Sequence, residues 1–290
     1  MAGRYKGLAD FLARAGKALG PRPVGLIFVE DEVEVESTID HLDALGFGAL
    51  VLFTPPGLKL SPASEERIHH VAYDTRAEGA LPRAVSAVIA AAPGIWLHYC
   101  YNAEYLFFPF CESRSIGEML DFHGEDGREA MPTHVVDLYA ADLDRHPGGV
   151  SRDGALLDRA GYFARPRTDP ATGRPLDRQS DIFGGLRWRF EEHVPAHRRR
   201  IDRIGLFRAR RGLRLLDGYL MSDPEMNTCA GDRGNTLTAA ICSFRAAKAL
   251  RTNPASRLEI ADFRWPMSEE FRWESQQLMD LGLMEPGTWF

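Results

Sequence analysis

The sequence predicts an α/β protein with a central mixed, mostly parallel sheet flanked by helices, and three adjacent segments carry that prediction. The run Val24-Gly25-Leu26-Ile27-Phe28-Val29 is short, apolar and unbroken, so it reads as a strand buried on both faces. A helix pattern follows at once, with Val35, Thr38, Ile39, Leu42 and Leu45 on one face and Gly46 to stop it. Leu50-Val51-Leu52-Phe53 is a second strand, ended by Thr54-Pro55-Pro56-Gly57. Strand, helix and strand joined by short connections form a βαβ unit, which requires parallel pairing and helices on the sheet faces.

The remaining elements follow in chain order. Residues 1–20 read as a basic amphipathic helix: Leu8, Phe11, Leu12, Ala15 and Leu19 recur at helical spacing, and Arg4, Lys6, Arg14 and Lys17 lie elsewhere. Such a helix suits peripheral contact with an anionic membrane surface, or, more plainly, packing on its own domain or on a partner. Residues 21–290 read as one domain. Within it, Leu81 to Ala92 is an alanine-rich helix, Ile95 to Cys100 a strand, Ser115 to Asp126 a helix and Thr133 to Tyr139 a strand. From about 142 to 180 the chain is rich in Arg, Asp, Pro and Gly with weak periodicity, which predicts a loop-rich surface excursion. Further strands are expected near Ile182 to Phe190, over Ile204 to Phe207 and near Arg214 to Met221, with a closing helix over Ser268 to Leu281.

Composition narrows the function. The 290 residues are 44% hydrophobic and 26% charged, ordinary for a packed globular chain. A formal net charge of -6 argues against a general nucleic-acid binder. No apolar run is long enough to span a bilayer, and the N-terminus lacks a secretory pattern, so the cytoplasm is the expected location. Cys100, Cys111, Cys229 and Cys242 form no Cys-x-x-Cys pair and have no histidine at zinc-finger spacing, so they read as reduced packing residues.

Three segments together resemble bacterial family 2-type glycosyltransferases, which are built on the GT-A plan. The first is Val24 to Phe53, with Glu30-Asp31-Glu32 after the strand and Leu45-Gly46-Phe47 after the helix. The second is Ile95 to Tyr139, carrying Trp96-Leu97, Glu104, Phe108-Pro109, Glu112-Ser113-Arg114-Ser115 and Val136-Asp137-Leu138-Tyr139. The third is Gly184-Gly185-Leu186-Arg187-Trp188-Arg189 with Ile204-Gly205-Leu206-Phe207. The resemblance covers roughly two-thirds of the chain and implies a GT-A-like fold that takes a nucleotide-sugar and a glycan acceptor.

It also implies a chemistry for which residues are missing. Many GT-A enzymes hold a divalent ion with Asp-x-Asp, and the ion neutralises the departing diphosphate. If Glu104 aligns with the acidic residue that follows this motif, the two aspartate positions hold Tyr101 and Ala103, in the degenerate stretch Tyr101-Asn102-Ala103-Glu104. One carboxylate makes a poor magnesium site. Histidines expected later are replaced within Gly218 to Pro224 and Ala240 to Phe244. The expectation is therefore no metal site and no cofactor, with Mn2+ or Mg2+ disfavoured. The scaffold reads as a nucleotide-sugar transferase or, alternatively, as a non-catalytic binding or assembly partner on the same fold.

The resemblance implies that Glu30, Asp31 and Thr54 line the base and ribose of any donor, that Asn102 and Glu104 lie near its diphosphate, and that Asp223 or Asp232 is the catalytic base. Arg198, Arg199, Arg200, Arg203, Arg208, Arg210, Arg211 and Arg214 crowd one segment. Guanidinium forks suit phosphate oxygens, and the plainer alternative is a charge-balanced face with Glu191, Glu192 and Asp202. The stretch Glu191-Glu192-His193-Val194-Pro195-Ala196-His197 has the wrong order for a zinc helix, and Pro195 interrupts it. The aromatic run Tyr99, Tyr101, Tyr105, Phe107, Phe108 and Phe110 reads as core and cleft wall, with sugar stacking as the alternative.

Overall fold

The apolar runs are strands because both of their faces are covered. A computed structural model describes residues 3–15, 19–228 and 236–289. The chain is α/β, with a large mixed, mostly parallel sheet flanked by helices, consistent with a GT-A-like plan. It folds as two compact units, each assembled from segments distant in sequence.

The first unit comprises Met1–Tyr105, Ser113–Pro132 and Ile204–Asn227. Its elements begin β1 (Gly3–Tyr5), α1 (Leu8–Arg14), β2 (Val24–Phe28), α2 (Val35–Ala44) and β3 (Ala49–Thr54). They continue α3 (Pro62–Glu65), β4 (Ile68–Ala72), α4 (Ala80–Ala91), β5 (Trp96–Tyr101) and β6 (Glu104–Phe107), which runs on past the unit's boundary. Strands β1, β4, β3, β2 and β5 lie side by side in that order, all parallel. Every residue of β2 is buried. Its faces divide: Val24, Leu26 and Phe28 join a core with Leu81, Val85 and Ile89 of α4. On the other face, a Cβ on Gly25 would lie 2.9 Å from Leu50 and 3.2 Å from Leu42 of α2. Glycine here lets α2 approach the sheet. Phe28 stacks on Phe53 at 4.7 Å, tying β2 to β3.

The N-terminal segment departs from one helix over 1–20. Gly3–Tyr5 adds a strand parallel to β4, where the Tyr5 hydroxyl bonds His69 Nδ1 at 2.9 Å, and the helix shrinks to Leu8–Arg14. Phe11 is fully buried, edge-on to Tyr5, and Ala15 and Leu19 join it in the unit's own core. Strand pairing and core burial together outweigh the helical periodicity. Lys17 lies outside the described residues. Among the described residues, no helix is long and apolar enough to cross a membrane.

The second unit comprises Leu106–Glu112, Thr133–Arg203 and Thr228–Phe290. In chain order the next elements are α5 (Ile116–Glu125), which belongs to the first unit, and β7 (Ala130–Tyr139), which enters the second at Thr133. They are followed by β8 (Leu156–Asp158), β9 (Phe163–Thr168), β10 (Pro175–Phe183), α6 (Leu186–Arg189) and β11 (Asp202–Arg208), which enters the first unit at Ile204 and there pairs antiparallel with β5. The last are β12 (Ala239–Ser243), α7 (Arg245–Thr252), α8 (Pro254–Glu259), β13 (Ser268–Glu270) and α9 (Ser275–Asp280). Helix α5 starts on a capping box in which Ser115 and Glu118 satisfy each other's backbone N–H. Strand β12 runs parallel to β7, pairing Ser243 with Asp137, and β8 pairs antiparallel with β7 and β13.

The stretch 142–180 is more ordered than its polar composition predicts. Antiparallel β9 and β10 close on a Phe163–Phe183 pair, and Arg167 reaches Asp181 at 2.7 Å and Asp202 at 2.6 Å. Ion pairs rather than apolar alternation hold this hairpin, so periodicity does not reveal it. Strand β10 stops at Phe183, and α6 takes 186–189 where a strand was expected. Over 214–221 there is only a bridge, Leu215 to Met221. The closing helix is instead β13 followed by the shorter α9, because Ser268–Glu270 pairs with β8 and Trp273 at φ 59° breaks the run. Cys100 and Cys242 are buried, and burial pushes the Cys111 thiol up to about 12. Cys229 lies outside the described residues.

Burial holds the imidazoles of His69, His70 and His123 below the ordinary histidine range. The unfolded chain therefore binds more protons than the folded one below about pH 6.5, so stability is full above that value and falls on acidification. The urea midpoint of unfolding should drop between about pH 8 and about pH 5, and His123→Gln should flatten part of that slope. A midpoint that holds steady or rises on acidification would contradict the burial account.

Candidate functional site

The topology of the first unit marks one place for a ligand. From β2 the chain steps outward through β3 to β4, then returns by α4 to place β5 on the other side of β2. At such a switch point the loops beyond the carboxyl ends of the two strands diverge and leave a crevice. Here those segments are 29–34 after β2 and the tight turn Tyr101-Asn102-Ala103-Glu104 after β5.

Asn102 closes the crevice. Its Nδ2 donates to Asp31 Oδ1 at 2.7 Å, to Val33 O at 2.8 Å and to Asp31 O at 3.2 Å. Its Oδ1 accepts from Glu30 N at 2.9 Å, and its own N–H donates to Phe28 O at 3.2 Å. The side chain is fully buried, and its amide bridges two loops that sequence separates by about seventy positions. The turn is fixed from the other side as well. Ala103 sits at φ 63° and donates its N–H to Thr38 Oγ1 at 2.9 Å. Tyr105 bonds Ser37 at 2.8 Å through its hydroxyl.

Glu104 faces inward. It is 1% exposed, and its Oε2 accepts the Tyr101 N–H at 2.9 Å, closing the turn upon itself. Tyr101 and Ala103 are buried too. The donor set at the expected cation position is therefore one buried carboxylate engaged by its own backbone, a phenol and a methyl group, and it does not fit a divalent ion. Among the described residues, no group of three or more His, Cys, Asp and Glu side chains is placed to hold a metal.

The structure brings Glu30, Asp31 and Asn102 into one hydrogen-bonded cluster, with Glu104 in the same turn. Arg76 adds to it by donating its Nε to Glu30 O at 2.9 Å. Thr54 lies on the neighbouring strand β3, and its hydroxyl bonds His70 Nε2 at 2.7 Å. It lines a separate cleft of about 510 Å3 with Tyr5, Pro55, Lys59 and His70. Asp223 pairs with Arg210 and accepts from Glu225 N at 3.0 Å, opening the short helical turn Pro224–Asn227. Asp232 lies outside the described residues.

The arginine segment is divided. Arg199 pairs with Glu191, Arg200 with Asp181 and Asp202, and Arg210 with Glu129 and Asp223. Arg208 donates to Gly94 O. Exposed Arg198, Arg211 and Arg214 have no carboxylate partner among the described residues.

The second unit holds a buried polar network to which sequence reasoning assigned no role. Asp158, 1% exposed, accepts the Tyr139 hydroxyl at 2.6 Å and the Trp265 indole N–H at 2.7 Å on Oδ1, while Arg189 Nε reaches Oδ2 at 2.8 Å. Asp137 lies near the carboxyl end of β7, fully buried, with Arg187 Nε 3.3 Å from Oδ1. Burial pushes its carboxyl above the ordinary range, while the charge of Arg187 pulls the other way. Gly185, at φ 64°, is required beside it: an added Cβ would stand 2.8 Å from Asp137 Oδ2. The signal in the sequence is an aspartate between Val136 and Leu138, inside a run otherwise read as buried strand.

Comparison with protein-family models and with curated proteins finds no match.

Two substitutions test which groups hold these sites. Asn102→Ala leaves the Glu30 N–H and Val33 carbonyl without their partner and should cost about 3 kcal/mol in denaturant unfolding. A loss below about 0.5 kcal/mol would mean that the loops stand without the clamp. Asp158→Ala strands the Arg189 charge and the Trp265 indole N–H, leaving the Tyr139 hydroxyl only Ser268, and should cost about 3–5 kcal/mol by the same measurement. A near-neutral Asp158→Ala would show that water replaces the carboxylate.

Proposed function

We propose that this chain is a glycosyltransferase-like protein, a nucleotide-sugar transferase scaffold that does not work through a bound divalent cation. The turn at 101–104 supports this reading most directly. Where the resemblance calls for two aspartates aimed at a diphosphate, Tyr101 and Ala103 offer no carboxylate, and Glu104 is turned inward onto the Tyr101 N–H. The charge of a leaving diphosphate would then fall to guanidinium groups. Arg211 and Arg214, in the first unit, have no carboxylate partner among the described residues and are the candidates for that role. Thr54, at the end of β3 in the cleft with Lys59 and His70, is the best placed of the expected donor-side residues. Asp223 remains the base candidate toward a glycan acceptor, with Arg210 holding its carboxylate.

A second reading, a non-catalytic binding or assembly partner on the same scaffold, has one observation in its favour. Asn102 occupies the switch-point crevice, and its bonds to Glu30, Asp31 and Val33 would have to break for a nucleotide to enter there.

Calorimetry with UDP- and GDP-sugars, with and without manganese, separates the cases. The transferase reading expects binding whose affinity is the same in both conditions and is lost on replacing Arg211 and Arg214 with glutamine. Manganese-dependent binding or turnover would sink the cation-free mechanism. No heat with any nucleotide-sugar would remove the transferase reading and leave the partner.

A further inference from the structure

Rings that neither the core nor the candidate site absorbs gather on the second unit. Gly161, at φ 93°, brings the backbone so close to two indoles that an added Cβ would stand 3.3 Å from Trp188 and 3.4 Å from Trp265. Phe163 and Phe183, paired across β9 and β10, stack at 5.4 Å, and Trp188 meets Phe163 edge-on at 6.0 Å. Trp188 is 40% exposed, and its indole N–H makes no hydrogen bond among the described residues. The Trp265 N–H, by contrast, is committed to Asp158.

Charge completes the surface. The Arg165 guanidinium lies 5.1 Å from the centre of the Phe163 ring and 5.5 Å from that of Phe183. Asp181, its partner in the strand register, is already engaged by Arg167 and Arg200. Arg165 thus has no carboxylate partner among the described residues. It is an exposed cation over two rings, one of which, Phe163, also meets the exposed Trp188 indole edge-on.

We propose that Trp188, the Phe163–Phe183 pair and Arg165 form a binding surface for an anionic saccharide, with carboxylated pyranose units as the ligand class. A pyranose presents a face of C–H groups that lies on an indole, a rim of hydroxyls for the free N–H, and a carboxylate for the guanidinium fork. One exposed indole is far too little for a stable protein interface, which buries about 800 Å2 on each partner. Single-stranded nucleic acid also stacks on aromatic rings, but its binders track successive phosphates along a positively charged groove, whereas one carboxylated ring needs one guanidinium, as Arg165 supplies. The surface involves no nucleotide and goes beyond the donor-side reading.

The test is calorimetry of the full chain with hexagalacturonate, neutral maltohexaose and a six-residue oligothymidylate. Hexagalacturonate should bind saturably and more tightly than the other two. Arg165→Gln, a surface change, and Trp188→Ala should each weaken it by about tenfold. Circular dichroism of both variants should match the parent, and Arg165→Gln alone carries the test if Trp188→Ala misfolds. Absence of hexagalacturonate binding, affinity unchanged by Arg165→Gln, or tighter binding of oligothymidylate would overturn the proposal. No nucleotide-sugar is present, so this outcome is independent of the donor titrations.

Discussion

The side-chain amide of Asn102 is the constraint around which the first unit is arranged. A parallel sheet whose strand order reverses must leave two loops diverging at the switch point, each with backbone groups that no strand can pair. Asn102 supplies both a donor and an acceptor from one planar group, and it serves Glu30 N, Val33 O and the Asp31 side chain together. A carboxylate at 102 could not donate, and a leucine could do neither. The left-handed residues beside it follow from the same closure. Ala103 at φ 63° turns the chain back into β6, and Glu34 at φ 55° turns it into α2, where its carbonyl takes the Ser37 and Thr38 hydroxyls. Strain at these positions is tolerable because hydrogen bonds on either side over-determine them.

Both units turn carboxylates inward, with different consequences. Asp158 is met by an arginine, a phenol and an indole, so its charge is compensated in place. Asp137 has the same depth but fewer partners, and desolvation wins over the attraction of Arg187. Gly184 and Gly185 make this packing possible. A side chain on Gly184 would run into Tyr162 at 2.3 Å, and one on Gly185 into Asp137 at 2.8 Å.

Much of the sheet was legible because its strands are buried on both faces. Val24–Phe28, Ala49–Thr54 and Trp96–Tyr101 are apolar runs bounded by turn residues, and the helices between them keep strict periodicity at Val35, Thr38, Ile39 and Leu42. The β9–β10 hairpin was not legible, since its cohesion comes from Arg167, which reads as loop composition, bonded to Asp181 and Asp202 beyond that stretch. The N-terminal strand was hidden for another reason. Three residues carry no period, and only the edge offered by β4 makes them a strand. At the site, the resemblance implied Glu30, Asp31, Asn102 and Glu104 around one donor. It could not show that Asn102 spends its amide on Glu30 and Asp31, because hydrogen bonds between distant loops leave no periodic trace.

The residues at 101, 103 and 104 make physical sense as a set. Ala103 has no exposed surface, and Tyr101 and Glu104 have very little. An aspartate at either position would be a charge removed from water, tolerable only beside a cation or several donors. A bound metal would provide that compensation. Without one, two aspartates added to Glu104 would put like charges into one closed turn, and the turn would open to water rather than hold its shape. Tyrosine and alanine remove the charge, and Glu104 keeps its carboxylate because Tyr101 N–H is there to meet it. Two uncharged residues around one satisfied glutamate are what a closed, water-excluding turn requires.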